Sequence, residues 1–329
     1  MPMRKLKLFT AITLAALGIY LTLNYGVIGD ISREILGIED SSVLYKTSVN
    51  SGKDYSTFPP DMQPPTESES VQTQPPADDE IVPTTISGGL SIKNSTSYII
   101  DVKEMMSSGC PVKLKDGEPQ ILIIHTHSSE AYSPAGLDQY DDSGGNRTQD
   151  NNYNVIRIGD ELEQLLSAQG LKVIHDRGIY DYPSYTGSYT RCGEAIEKCL
   201  AEHPSISIVI DLHRDALGSD DVTYKTVATE TGVCASQIMF VMGSDECGLE
   251  HPNWKGNLGL ALYLQNAVAK KYPSLMRPIT LVEYRYNQHL SSGSLILEVG
   301  SNGNTLQEAL AAIRLFADAA GPALLDLVE

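Results

Sequence analysis

No two cysteines in this sequence have the C-x-x-C spacing of a thiolate zinc site. The five thiols stand apart at Cys110, Cys192, Cys199, Cys234 and Cys247, which argues against such a site. The odd count leaves at least one thiol without a partner in its own chain. Positive charge is also scarce. Lys and Arg total 24 against 42 Asp and Glu, a net charge of −18, and an acidic surface repels nucleic-acid phosphates. A third absence is local: no charged residue lies between Leu8 and Ile28. A helix of that length spans about 30 Å, the thickness of a bilayer core. Arg4, Lys5 and Lys7 precede the run and Asp30 is the first acid after it, so the N-terminus is expected in the cytoplasm and the rest outside. The end of the run, "TLNYGVIGD", has no small-x-small cleavage site, which favours a retained anchor over a removed signal peptide.

What is present is organised in three parts. Residues 1–30 form the cytoplasmic tip and membrane anchor. Residues 31–90 hold a short juxtamembrane helix and a stretch rich in Pro, Ser, Thr and acid ("STFPPDMQPPTESESVQTQPPADDE"). That stretch lacks the apolar period needed to pack and reads as a disordered tether stiffened by proline. Residues 91–329 alternate strand and helix signals. With 41% hydrophobic residues overall, the chain can build a sizeable core. "QILIIHTH", "LKVIHD", "ISIVIDLHRD" and "SGSLILEVGS" read as strands. "NNYNVIRIGDELEQLLSAQG", "YTRCGEAIEKCLAEHP" and "WKGNLGLALYLQNAVAKKYP" read as helices. Asn151 or Asn152 can cap the first of these and Gly170 can close it. Thr305 and Glu308 have capping-box spacing for a last helix. "TYKTVATE" and "SQIMFVMGSD" resemble an antiparallel pair. Repeated strand–helix units predict an α/β domain, a mostly parallel twisted sheet with helices on both faces.

Three of the apolar strands end in groups that titrate or bind metal: "ILIIHTHSSE", "IVIDLHRD" and "LILEVG". Open α/β sheets bind ligands at the carboxyl ends of their strands. If these strands are neighbours, His125, His127, Glu130, His213 and Glu298 share one cleft. Two imidazoles and a carboxylate are a common set for catalytic zinc, which leaves a fourth position for water and lowers its pKa towards 7. Glu298 would then take the water's proton and pass it to the leaving group. His127, Glu130 and His213 are the predicted ligands. His125 lies two residues from His127, so on a continued strand both would face the same side, and either can serve. Asp211 shares a face with His213 and can hold its other ring nitrogen. The plainer readings are a hydrogen-bonded structural histidine and a Glu298 that pairs with Arg214 or Arg285. His175, His203 and His251 read as surface or structural residues, and His289 in "YNQHLSSG" as part of a loop beside the cleft.

"ILIIHTHSSEAY", "IVIDLHRDA", "HPNWKGNLGLA" and "LILEVGSNGNT" occur in that order and resemble the stage II sporulation protein P family of endospore-forming bacteria. The anchor, tether and C-terminal domain match its layout. The resemblance implies an amidase-like α/β fold and a zinc-dependent N-acetylmuramoyl-L-alanine amidase, with endopeptidase action on crosslinks. It implies peptidoglycan as substrate during engulfment, sporulation proteins D and M as partners, and a single-pass protein facing out of the mother cell. On it, His127 and His213 match the two zinc histidines and Glu298 the catalytic glutamate. The zinc carboxylate is Glu130, with Asp150 in "RTQDNNYNV" held in reserve because related amidases place that ligand at the start of the first long helix. His125, Asp211 and Arg214 are candidates for supporting the ligands or binding substrate.

Two other functions fit the same residues. A zinc carboxypeptidase-like enzyme would need a buried arginine, Arg147 or Arg214, for a terminal carboxylate. A wall-binding module would keep the fold without turnover. For either, the charge asymmetry around residues 8–28 sets the topology. Protease added to intact protoplasts is expected to degrade the domain that starts near Ser91; a protected domain contradicts the predicted orientation.

Overall fold

A computed structural model describes residues 84–87, 89–219, 222–229 and 232–329. The predicted anchor, the juxtamembrane helix and nearly all of the predicted tether lie outside these residues. Among the described residues no helix is long and apolar enough to cross a membrane.

Along the chain come β1 (Thr84–Ser87), β2 (Leu90–Asn94), α1 (Val102–Ser107), β3 (Ile121–Ile124), α2 (Val155–Ala168) and β4 (Val173–His175). Then follow α3 (Ser188–Glu202), β5 (Ile208–Asp215), β6 (Gly218–Ser219), β7 (Val222–Thr223), β8 (Ile238–Gly243), α4 (Trp254–Lys271) and β9 (Ile279–Val282). A 3₁₀ turn at Gln288–Leu290, β10 (Ser294–Ser301) and α5 (Leu306–Leu325) complete the domain. Eight strands form one sheet in the order β1-β2-β9-β8-β10-β5-β3-β4. Five of its junctions are parallel, and β1–β2 and β8–β10 are antiparallel. The three strands singled out in the sequence, β3, β5 and β10, are consecutive neighbours.

The central strands are buried on both faces, which explains their unbroken apolar runs. All four residues of β3 are sealed from solvent. Ile121 and Ile123 point into the larger core, with Ile210, Leu212, Leu295 and Leu297 and the apolar sides of α2, α4 and α5. Leu122, Ile124 and Val209 point the other way, against Cys192 and Ile196 of α3. Helices thus cover both faces, several on one and α3 on the other. Phe240 of β8 and Phe316 of α5 meet edge to face at 6.1 Å, and truncating either buried ring costs about 3–5 kcal/mol.

Three local expectations change. The strand "SQIMFVMGSD" does not pair with "TYKTVATE". Ile238–Gly243 instead lies between β9 and β10, where Phe240 and Met242 are fully buried in the larger core. "TYKTVATE" keeps only the short β6–β7 ladder and a bridge from Ala228 to Ala235. The sheet also begins at Thr84, inside the predicted tether, where β-branched Thr84, Thr85 and Ile86 favour a strand. The start of α2 is capped by Asn154, whose side chain accepts from Ile156 N at 3.0 Å, rather than by Asn151 or Asn152.

The capping box of α5 forms as predicted. Thr305 Oγ1 accepts from Glu308 N at 3.2 Å and Glu308 Oε2 accepts from Thr305 N at 3.1 Å. Glu308 also takes bonds from Lys225 Nζ at 2.7 Å and Asn304 Nδ2 at 2.8 Å. Burial raises its pKa, but these donors outweigh burial and hold it below its ordinary 4.5. A carboxyl depressed by folding stabilises above its unfolded pKa, and that stability is lost as pH falls through the folded value. Glu308→Ala is expected to cost about 2 kcal/mol, a drop of about 4–8 °C in melting temperature. The difference from wild type should be full at pH 7 and shrink below pH 4.5, as thermal melts at both pH values would show.

Candidate active site

β3 stops at Ile124, and the chain turns through Thr126–Ser129. This turn breaks the period of two assumed for the histidines. His125 stays on the face covered by α2, where Nδ1 meets the Leu212 carbonyl at 2.8 Å and Nε2 meets His175 Nε2 at 2.8 Å. His127 crosses to the α3 face and packs edge-on to His213 at 5.3 Å and to Tyr189 at 5.4 Å. The two histidines therefore do not share a cleft, and only His127 stands beside His213. Gly159 of α2 makes the His125–His175 contact feasible, since a Cβ there would meet the two Nε2 atoms at 2.5 and 2.7 Å.

His213 is the hub of the α3 side. Its Nδ1 lies 3.3 Å from Glu130 Oε2 and its Nε2 lies 2.8 Å from Asp211 Oδ1, although the second pair is too poorly aligned to count as a hydrogen bond. Burial disfavours an imidazolium, but the two carboxylates outweigh it and push the His213 pKa well above 6.5. Asp211 is fixed in turn by Thr126, whose N and Oγ1 donate at 2.8 and 2.6 Å. Glu130 is gripped by Arg214 N at 3.2 Å and Arg147 Nη2 at 3.3 Å, with Arg214 Nη1 at 3.7 Å. Burial raises the Glu130 pKa, yet Arg214, His213 and Arg147 together carry it far below the carboxylate range.

Glu298 pairs in register with His213 across the parallel β10–β5 junction, which puts the two side chains on the same face of strands spaced about 4.8 Å apart. Its Oε2 is sealed from solvent and has no partner. Burial pushes its pKa up to about 8. It does not brace an arginine: Arg214 spends Nε on the Ala131 carbonyl at 2.9 Å and Nη2 on Gly145 and Asn146 carbonyls, and Arg285 Nη1 bonds the Glu250 carbonyl.

Burial pushes the His127 imidazole down to about 3, so it is neutral and able to ligate. Its nitrogens are engaged by Tyr185 Oη at 3.0 Å and Ser188 Oγ at 3.4 Å, with the Tyr185 ring stacked on it at 4.4 Å. Among the described residues, the only three His, Cys, Asp or Glu side chains whose ligand atoms all lie within 4.8 Å of one another are Asp160, Glu163 and His175. His127, Glu130 and His213 are gathered less tightly. The donor set nevertheless fits zinc. Two ligands at about 2.0–2.1 Å from one tetrahedral ion stand about 3.3–3.4 Å apart. The Glu130–His213 separation of 3.3 Å matches that edge and is long for a hydrogen bond. Asp150, the reserve ligand, is exposed and bonds Asn152.

Tyr185, Ser188 and Asp181 carry no signal in the sequence. They come from a loop and a helix start without apolar period, and only the fold brings them to the turn after β3. Asp181 accepts from Ser129 Oγ at 2.6 Å and from Arg147 Nη1 at 2.9 Å. Ser129, Arg147, Asp181, Tyr182 and Tyr185 line a depression of about 160 Å³ beside the site. A larger one, about 370 Å³, is lined by Gly117, Pro119, Leu171 and Lys172 at the opposite strand ends, away from this chemistry. His289 packs edge-on to buried His251 at 6.5 Å, and His251, at 1% exposed, is the structural residue of the two readings offered for it.

Fold and site together define an α/β protein whose polar centre lies at the carboxyl ends of parallel strands, where such sheets bind ligands. The chain belongs to the stage II sporulation protein P family, whose family model matches residues 30–321. It is 27% identical over 224 residues to the stage II sporulation protein P of Bacillus subtilis (strain 168), a match covering 63% of this chain and 52% of that protein. The chain thus spans about half the length of that relative. Among solved structures it is similar to an N-acetylmuramoyl-L-alanine amidase from Clostridium difficile 630, at 15% identity and TM-score 0.41, covering 64% of this chain and 97% of that one. It is also similar to the amidase AmiC2 of Nostoc punctiforme, at 14% identity and TM-score 0.38, covering 64% and 98%.

Proposed function

We propose that this chain is a zinc-dependent peptidoglycan hydrolase of sporulation that cleaves the N-acetylmuramoyl-L-alanine amide and, as a second bond of the same class, stem-peptide crosslinks. The observation that carries the reading is the placement of Glu298, with an unpartnered and sealed carboxyl oxygen, beside a His213 flanked by Glu130 and Asp211. Membership of the stage II sporulation protein P family supports the sporulation context. In this reading residues 8–28 anchor the chain, the domain that follows acts outside the cytoplasm, and sporulation proteins D and M are its partners at the engulfing membrane.

Glu130 and His213 would hold the metal, with His127 completing the set through a nitrogen that Tyr185 or Ser188 now engages. Zinc, when bound, supplies Lewis acidity towards the amide carbonyl and the attacking water. Asp211 fixes the far side of His213. Arg147 and Arg214 keep Glu130 ionised and in place. Glu298 Oε2 is free to take a proton from water and return it to the departing amine, so the amide C–N bond breaks with acid and amine as products. A carboxyl that burial brings near neutrality suits both halves of that transfer. Tyr182, Tyr185 and Arg147 border the depression in which the wall polymer would lie.

One observation weighs against the carboxypeptidase-like alternative. The Arg214 guanidinium already donates to three carbonyls and stands 3.7 Å from Glu130, and Arg147 donates to Asp181 and Glu130, so a terminal carboxylate finds neither guanidinium free.

Glu298→Gln keeps the shape and removes the proton acceptor. The variant is expected to retain zinc and melting temperature and to release muropeptides about 10²–10⁴-fold more slowly. Zinc content, thermal melt and muropeptide release on one preparation decide it. Near-normal release from metallated Glu298→Gln rejects the mechanism. A wild-type chain that binds zinc and releases nothing points to a wall-binding module.

A further inference from the structure

We infer that this chain carries a second divalent-metal site of the imidazole–carboxylate class, selecting zinc or a similar borderline ion, built from Asp160, Glu163 and His175 on the face of the sheet opposite Glu298. Asp160 and Glu163 are three residues apart on α2 and so project from one side of the helix. His175 ends β4, the strand at the edge of the sheet. His175 Nδ1 lies 3.2 Å from Asp160 Oδ1 and 3.6 Å from Glu163 Oε2. These separations bracket the edge of about 3.3–3.4 Å expected between ligands of one tetrahedral ion.

An acidic pair near a histidine is common without a metal. The second observation here is the state of Nδ1 itself. The His175 side chain is fully buried, and Nδ1 has no hydrogen-bond partner although two carboxylates face it. The hydrogen-bond chain behind it gives the reason. The Leu212 carbonyl can only accept, so His125 Nδ1 carries a proton, and a neutral His125 then presents a lone pair at Nε2. His175 Nε2 must donate to that lone pair across 2.8 Å, which leaves His175 Nδ1 as a second lone pair. A buried bare nitrogen aimed at two carboxylates is a ready third donor for a metal ion placed among them. Gly159 lets the helix approach the two Nε2 atoms, which a Cβ would meet at 2.5 and 2.7 Å.

Arg177 now neutralises the carboxylates. Its Nη2 is 2.6 Å from both Asp160 Oδ1 and Glu163 Oε2, and its Nε is 2.7 Å from Asp160 Oδ1. It offers nothing to Nδ1, and its side chain is 45% exposed, so it can withdraw into solvent. Arg177 is therefore a built-in competitor for the ion. Occupancy ties the edge strand to α2 and, through His125, to the backbone of β5 one residue before His213.

The test is a ZnCl2 titration of the metal-stripped full-length chain by calorimetry, paired with ¹⁵N NMR of the His175 ring. Wild type is expected to bind one equivalent that Asp160→Asn with Glu163→Gln weakens at least about tenfold, the smallest loss usual even for an outer partner of a metal site. Arg177→Gln should tighten the same equivalent by a similar factor, and His175 Nδ1 should be unprotonated before zinc and shift on its addition. Equal stoichiometry and affinity in wild type and the double variant overturn the site. So does a doubly protonated His175 ring that zinc leaves unchanged, which would mean that the carboxylates hold a histidine proton instead. An Arg177→Gln chain with unchanged affinity contradicts the competitor role. A failure of the catalytic reading alone would leave the equivalent sensitive to Asp160 and Glu163 in place.

Discussion

The imidazole of His213 lies between two buried carboxylates, Glu130 and Asp211. That arrangement is costly in a low-dielectric interior unless every charge is answered. Much of the surrounding structure does so. Thr126 donates twice to Asp211. Arg214 and Arg147 reach Glu130 from two directions, and Arg214 also clasps the carbonyls of the loop that carries Arg147. Asp181 holds Arg147. The turn after β3, the loop at residues 142–147 and the end of β5 are locked together by the charges they share. A proton on His213 and a metal ion beside it are alternative ways to answer the same two carboxylates, which is why the fit to zinc and the raised basicity of His213 have one origin.

The sheet separates two histidine systems. Side chains alternate across β3 and β5, so Asp211 and His213 face α3 while Leu212 faces α2. The early end of β3 sends His127 to one side and leaves His125 on the other. On the α3 side the centre is rich in charge and carries an unpartnered carboxyl. On the α2 side a neutral imidazole pair, each held to about 3 mainly by burial, leads from the β5 backbone to surface carboxylates. The Leu212 carbonyl and the His213 side chain are neighbours on one strand, so the two systems share a backbone without sharing a face.

Much of the framework was legible because apolar runs are read reliably when strands are buried on both faces. "LIL" of β10, "IVI" of β5 and "ILII" of β3 mark the strands, and Glu298, His213 and His127, each within three residues of its run, mark the site. Thr305 and Glu308 gave the last helix by spacing alone. The pattern misleads where a strand stops before its period does. His125 and His127 share a side only if β3 continues, and it ends at Ile124. His175 offered the same signal as His213, an apolar strand closed by a histidine, but its partners Asp160 and Glu163 lie on the polar side of α2, where acids ordinarily mean solvent. β8 looked like half of a hairpin because its neighbours β9 and β10 lie far along the chain. Tyr185 and Asp181 come from a loop whose position only the assembled sheet defines.

The proposed chemistry requires Glu130, His213 and His127 to hold one zinc ion beside Glu298. The most direct measurement is a crystal structure of the zinc-loaded protein with anomalous differences collected on both sides of the zinc edge. A peak is expected about 2.0–2.1 Å from a nitrogen of His127, a nitrogen of His213 and an oxygen of Glu130, with Glu298 near it but not bound. A zinc-loaded crystal with no peak there, or with a peak whose ligands exclude His213, would contradict it.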